Sequence, residues 1–319
     1  MKYLSEETMA NLKTDWNETI EVIENSIAVL DEKKYSQPIK PYLRYGSKKN
    51  RIIAMPAYIG GEKQAAGIKW IASFPSNITK GIKRAHATVI LNNVDTGEPY
   101  CIINTGIVSA IRTASVSGVL FKKYVNETSK EKINIGIIGF GPIGRNHLDM
   151  VGSFGREKIG TIFLYDLNQI NLEGIPPIIL EKIKIVPSWE ALFDSVDVLI
   201  TCTVSSERYI QKKGRKGTLH LNVSLRDYCP EFMETVDTMI VDNWDEICRE
   251  NTDIEFMHLN HNLNKEDVFE LSNSMLKKEM ENVDDKVIMF NPMGMAIFDM
   301  AISQYYYEYS KKQNIGVDL

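Results

Sequence analysis

The chain has 319 residues, of which 44% are hydrophobic and 25% charged, with a formal net charge of -5. That balance belongs to a folded globular protein large enough for two domains, and it excludes a disordered chain. A mild acidic excess without a basic block excludes nucleic acid and anionic membrane as partners.

The first residues, MKYLSEETMANLKTDW, are polar and acidic, unlike a secretion signal with its basic start and apolar run. No stretch approaches the roughly 20 apolar residues of a membrane span. Cys101, Cys202, Cys229 and Cys248 form no CxxC pair, and the five His are scattered. Free thiols in a reducing cytoplasm are therefore expected, with no metal site.

In residues 6–30, Met9, Leu12, Trp16, Ile20, Ile23, Ile27 and Leu30 recur every three or four positions, which predicts an amphipathic helix. The period then changes. QPIKPYLRY, RIIAMPAYI, AAGIKWIASF, HATVILNN and YCIINTG are short, rich in β-branched residues and punctuated by Pro, Gly and Asn. They predict an antiparallel meander, with NNVDTGEP as the turn between its last two strands. A helix is expected from about residue 108 to about Tyr124. After the charged loop VNETSKEK, the runs INIGIIGF, TIFLYD, KIVPS, DVLITCTVS, TLHLNVS and TMIVDNW alternate with helical or looped segments. Such alternation predicts an α/β domain whose parallel sheet is covered on both faces. VIMFNPMG and a helix from Ala296 to about Lys311 close the chain.

Gly139, Gly141 and Gly144 form GFGPIG directly after the strand INIGIIGF and before the helix-compatible RNHLDMVGSF. In that context the glycine pattern is the fingerprint of a Rossmann-type dinucleotide site. Gly139 allows the tight turn, Gly141 lets backbone approach a pyrophosphate, and Gly144 lets helix and strand pack. Pro142 and Ile143 open the helix whose amino terminus faces the phosphates. Asp166 ends the next strand, where a carboxylate binds both ribose hydroxyls and repels a 2'-phosphate, so NAD is expected rather than NADP. Thr203 and Val204 in TCTVSS, and Ser224 in NVS, follow the fourth and fifth strands of this sheet. The carboxyl ends of parallel strands are where ligands bind; as ordinary strand-end loops these residues would instead cap helices.

Lys69 lies inside AAGIKWIASF, Arg44 ends PYLR, and Arg112 is the one charge in AIRTASVSG. A cation buried in an apolar strand needs an anion, and Arg suits bidentate capture of a carboxylate. Taken alone, each reads more readily as a solvated or ion-paired surface residue, and alternation alone does not say which face Lys69 occupies.

Together, QPIKPYLR, RIIAMP, GIKW, AIRTASVS, GFGPIG and NPMGMAIFD resemble the ornithine cyclodeaminase and mu-crystallin family over nearly the whole chain. Within it they look most like the siderophore-pathway enzymes that release 2,3-diaminopropionate. The resemblance implies a homodimer with a substrate-binding and dimerisation domain of residues 1–113 with 295–319, built on an antiparallel half-sheet, and an NAD-binding domain of residues 114–294. It assigns Arg44, Lys69 and Arg112 to a substrate carboxylate and Thr113 to the cofactor, with Met293 and Gly294 of NPMG counted among the cofactor contacts. Asp227, in LRDYCPE, matches the acid that exchanges protons with the substrate nitrogen; the lesser alternative, from its position beside Pro230, is a helix cap. The implied reaction is NAD-dependent oxidation of N-(2-amino-2-carboxyethyl)-L-glutamate to 2-oxoglutarate and L-2,3-diaminopropionate. Ornithine cyclodeaminase, alanine dehydrogenase and ketimine reductase activities are the alternatives, and nucleotide-dependent ligand binding the non-catalytic one. Cyclodeaminases carry a Glu two residues before the Met-Pro pair; here that position is Ile53, which argues against ornithine.

Overall fold

Two side-chain caps decide how the amino-terminal segment folds. In the computed structural model, which describes residues 1–47, 49–154 and 157–319, Lys2–Ser5 is a strand, β1, and Ser5 caps a short helix α1 (Glu6–Ala10). Asp15 caps a second helix, α2 (Trp16–Asp31), accepting from the Asn17 and Glu18 N–H groups at 2.9 and 3.2 Å. The expected single helix over 6–30 is thus two. A carboxylate that satisfies the orphan amide donors of a helix start is strong enough to restart the helix inside one apolar period.

Residues 1–115 and 294–319 form one unit. After α2 come β2 (Tyr35–Ser36), β3 (Tyr42–Leu43), β4 (Arg51–Ile59), β5 (Ala65–Ser73), β6 (Ala85–Asn92) and β7 (Pro99–Asn104). The runs β4 to β7 pair as the expected antiparallel meander. Two features depart from the expectation. QPIKPYLRY yields only the two residues of β3, because Pro38 and Pro41 have no N–H to give a ladder. β1 pairs in parallel with β7 and carries Val317–Asp318 on its other edge, so the sheet is mixed.

Strand alternation sorts the two faces of this sheet. Met55, Ala57, Ile59, Lys69, Val89, Leu91, Cys101 and Ile103 are buried. The C-terminal helix, Ala296–Gln313, packs against α2 and against β4, β5 and β6. On the other face Ile52, Ala54, Pro56, Ile68, Ile90 and Ile102 are only partly covered and Trp70 is 45% exposed.

Residues 116–293 form the second unit, the boundary falling within helix α3 (Ile107–Glu127). Its elements are β8 (Ile133–Ile138), α4 (Pro142–Ser153), β9 (Ile159–Tyr165), β10 (Ile183–Ile185), β11 (Val198–Thr201), β12 (Thr218–Asn222), β13 (Thr238–Val241), α5 (Asp253–His261), β14 (Phe269–Glu270), α6 (Asn273–Glu279) and β15 (Val287–Asn291). All are parallel, in the order β10-β9-β8-β11-β12-β15-β13-β14. β11, β12, β13 and β15 are buried at every residue, as continuous apolar runs covered on both faces must be. The chain reverses direction across the sheet between β8 and β11, the switch point at which α/β sheets bind ligands. The fold class is α/β: a doubly wound parallel sheet with a smaller α+β unit. Among the described residues, no helix is long and apolar enough to cross a membrane.

Candidate active site

Three elements of the first unit bring charge into its interior. Lys69 faces inward on β5. Ser109 and Arg112, one helical turn apart, share a face of α3. Asp299 interrupts the apolar run AIFDMAI of the C-terminal helix. The Lys69 Nζ lies 2.7 Å from Asp299 Oδ2 and 3.2 Å from Ser109 Oγ, and the Arg112 Nε donates to Asp299 Oδ1 at 2.9 Å. Asp299 is fully buried, and the Lys69 and Arg112 side chains are 2% and 8% exposed. Lys40, also buried, donates to the Gly294 carbonyl at 3.0 Å.

The electrostatics follow from crowding several charges into a dry space. Burial pulls the Lys69 ammonium down to about 7; Asp299 opposes this, while Arg112 and Lys40 add to it. Burial pushes the Asp299 carboxyl up, but Arg112 and Lys69 outweigh it and hold the group below the usual carboxylate range. One carboxylate shared by a charged Lys69 and Arg112 leaves one positive charge over. Arg112 uses Nε for Asp299, and among the described residues no other acceptor meets its Nη edge. Gly294 makes room for that edge: at φ +88°, a Cβ there would sit 2.5 Å from Nη1.

The structure thus brings together Lys69 and Arg112, and it supplies an anion that the sequence reasoning missed. The same argument that singled out Lys69 would have found Asp299, a lone carboxylate within an apolar helical run. Arg44 is not in this group; it is exposed, with its guanidinium 5.3 Å from the Tyr42 ring. Thr113 Oγ1 donates to the Ser109 carbonyl at 2.8 Å within α3.

In the second unit the glycine turn joins β8 to α4. At Gly139 (φ +90°) a Cβ would lie 2.6 Å from the Cys202 carbonyl oxygen and 2.9 Å from the Thr203 nitrogen, so β8 and the end of β11 meet only because the residue is glycine. A Cβ on Gly144 would strike the Gly139 oxygen at 2.1 Å, and one on Gly141 meets nothing within 4 Å. Pro142 stands at the first position of α4 and Ile143 follows it, leaving the helix start open toward the turn. Asp166, after β9, accepts from the Phe140 N–H at 2.6 Å and from the Asn168 N–H at 2.8 Å. This tethers the carboxylate to the glycine turn, beside the open backbone at Gly141. These residues fit a dinucleotide: amides at a helix start, a gap where a side chain would stand, and an acid at the end of the second strand.

The loop after β12 carries the other titratable group. Leu225 adopts φ +64°, and Asp227 is turned inward with no exposed surface. Thr203 donates to its Oδ1 at 2.5 Å and Ser224 to its Oδ2. Asp227 caps no helix, since the short helix Pro230–Thr235 has Cys229 at its start. Burial raises the Asp227 carboxyl to about 6, against the Thr203 hydrogen bond; Asp253 adds to the rise, and Thr201 and Tyr209 oppose it. Val204 is 66% exposed, and the Met293 N–H donates to Asp242 at 3.0 Å. Burial, reinforced by Asp227, drives the Cys202 thiol well above its ordinary range. Asp253 was not foreseen; its sole signal in sequence is the helix-start pattern NTDIE.

A buried acid, an interior cation pair and a glycine turn agree with a match of residues 2–314 to the model of the ornithine cyclodeaminase/mu-crystallin family. The chain belongs to that family. It is 33% identical over 305 residues to the N-((2S)-2-amino-2-carboxyethyl)-L-glutamate dehydrogenase of Staphylococcus aureus (strain NCTC 8325 / PS 47), covering 89% of this chain and 88% of that one. Among solved structures, it is similar to the Thermococcus litoralis Delta(1)-pyrroline-2-carboxylate reductase in complex with NADH and L-proline, at a TM-score of 0.85 and 23% identity, covering 100% of both chains. An archaeal alanine dehydrogenase dimer with bound NAD aligns at a TM-score of 0.81 and 23% identity, over 100% of this chain and 98% of that one. Those two likenesses establish the family fold.

Proposed function

We propose that this member of the family is an NAD-dependent oxidoreductase that cleaves N-(2-amino-2-carboxyethyl)-L-glutamate. The observation that carries the reading is the 33% identity to the staphylococcal dehydrogenase across most of both chains. Ile53, at the place where the cyclodeaminases carry a glutamate, argues against ornithine but does not separate this reading from an alanine dehydrogenase or ketimine reductase.

Gly139, Gly141, Pro142, Ile143, Gly144, Asp166, Thr203, Val204, Ser224, Thr113, Met293 and Gly294 are the proposed cofactor contacts. Bound NAD supplies the two-electron acceptor of the reaction. In balance, the secondary amine, NAD and water give 2-oxoglutarate, L-2,3-diaminopropionate, reduced cofactor and a proton. The glutamyl Cα–H bond breaks and a C=N bond forms; water then adds at that carbon and the C–N bond breaks.

The protein's own groups have separate tasks in this scheme. Lys69 and the Nη edge of Arg112 hold the carboxylate next to the reacting carbon, with Arg44 a further proposed contact to a substrate carboxylate. Fixing the donor carbon in this way can contribute on the order of 7–11 kcal/mol to lowering the barrier. Asp227 takes the amine proton and then assists water addition; an acid raised to about 6 is matched to a reaction at neutral pH. The partly covered sheet face around Trp70 supports a homodimer formed through that face.

The test is NAD reduction assayed with the glutamyl conjugate, ornithine, alanine and proline in parallel. The conjugate should have the highest kcat/KM, and Arg112→Ala should lose turnover while keeping NAD affinity. A higher kcat/KM for ornithine, alanine or proline overturns the assignment.

A further inference from the structure

A second buried carboxylate stands directly behind Asp227. Asp253, at the first turn of α5, is fully buried. Its Oδ2 accepts from the backbone N–H groups of Asp227 and Tyr228 at 3.1 and 3.2 Å, and from Asn222 Nδ2 at 3.0 Å. Its own N–H donates to the Leu225 carbonyl at 2.8 Å. Four ties from one residue therefore close the turn that forces Leu225 to positive φ and aims Asp227 inward. Arg208 fastens the far side: its Nε donates to Asp253 Oδ1 at 2.8 Å, its Nη2 to the Thr252 carbonyl at 2.9 Å, and its guanidinium lies 4.4 Å from the Phe256 ring.

This arrangement exceeds what holding a loop requires. Asparagine would accept the same backbone hydrogen bonds, and burying a carboxylate is costly unless its charge is used or matched. A negative charge one peptide group from Asp227 disfavours ionisation of Asp227, and a positive charge beyond it moderates that effect. The other titratable groups facing Asp227 are Tyr209, Tyr228 and Cys202, all kept neutral by burial, and Arg226 on the loop itself, which reaches away to the Glu250 carbonyl at 2.8 Å.

We infer that Asp253, pinned by Arg208, is a positioning residue that shapes the Asp227 loop and governs how readily Asp227 releases its proton. The inference rests on Asp227 being the proton-exchanging group of the proposed reaction, and the experiment keeps the two apart. The carboxyl titration of Asp227 is followed by carbon-13 NMR in the full-length protein, with its resonance assigned by its loss in Asp227→Asn. In Asp253→Asn the Asp227 midpoint should fall by about one pH unit. In Arg208→Gln, the second variant should the first not fold, it should rise. An Asp227 midpoint that is unmoved, or that moves the other way, overturns the inference. The acid limb of kcat/KM should follow the NMR midpoint in each variant. Should the midpoint move and the limb stay, the electrostatic role of Asp253 holds and the catalytic reading of Asp227 fails.

Discussion

Asp299 divides its two carboxylate oxygens between Lys69 and Arg112, 2.7 Å from one and 2.9 Å from the other. The charge that makes the interior cations tolerable is therefore the protein's own, and a substrate carboxylate would meet a site that is already organised. Removing that charge leaves two buried like charges facing each other. Asp299→Asn should lower unfolding stability by about 3–5 kcal/mol, the usual cost of breaking a buried pair. Urea unfolding measures it; a loss under about 1 kcal/mol, as for a surface pair, contradicts the arrangement.

The rate–pH profile should be a bell for oxidation. In the proposed role Asp227 accepts a proton only once ionised, so kcat/KM should rise as pH passes its value of about 6. Lys69 binds a carboxylate only while charged, so kcat/KM falls as pH passes about 7. Lys69→Arg keeps its charge across this range and should abolish the alkaline limb. A level profile across both values in the unaltered protein would remove these two groups from the reaction.

Two glycines of one turn should behave oppositely. A Cβ at Gly141 meets no neighbour within 4 Å, whereas one at Gly144 lies 2.1 Å from the Gly139 oxygen. Gly141→Ala should leave stability within about 0.5 kcal/mol of the parent and weaken NAD binding roughly tenfold, about 1.4 kcal/mol. Gly144→Ala should destabilise by about 1–3 kcal/mol, as overpacking does. Calorimetric titration with NAD and thermal unfolding separate the two; unchanged NAD affinity in Gly141→Ala would remove that glycine from the cofactor site.

The exposed sheet face makes a further claim. Trp70, flanked by Ala54 and Thr88 in register, stands on an apolar surface of the kind that marks a partner site. Trp70→Glu should convert the proposed homodimer to a monomer in light-scattering chromatography without loss of helix content. A dimer that persists would put the interface elsewhere.

Much of this was legible in order along the chain. The meander from Arg51 to Asn104, the helix after it and the parallel strands were each announced by local periodicity. Local signals failed where a competing group intervened: Asp15 restarted the first helix, Pro38 and Pro41 cut back a strand, and the short β1 offered too few residues to show a period. At the site, Lys69 and Arg112 are visible because a cation in an apolar run is anomalous, and Asp299 is equally anomalous in AIFDMAI. Asp253 gives no such signal, because one acid beside a helix start is ordinary in sequence.

Sequence by itself determined which segments become strands and helices, where the chain turns on glycine, and that an acid follows the second strand of the parallel sheet. These depend on residues a few positions apart, whose steric and hydrogen-bonding preferences act before any packing. Tertiary structure alone decided that Lys69 and Arg112 share a carboxylate 230 and 187 residues away, and that Asp253 backs Asp227. Buried charge is balanced by whatever the fold brings within about 3 Å, and sequence distance has no bearing on that.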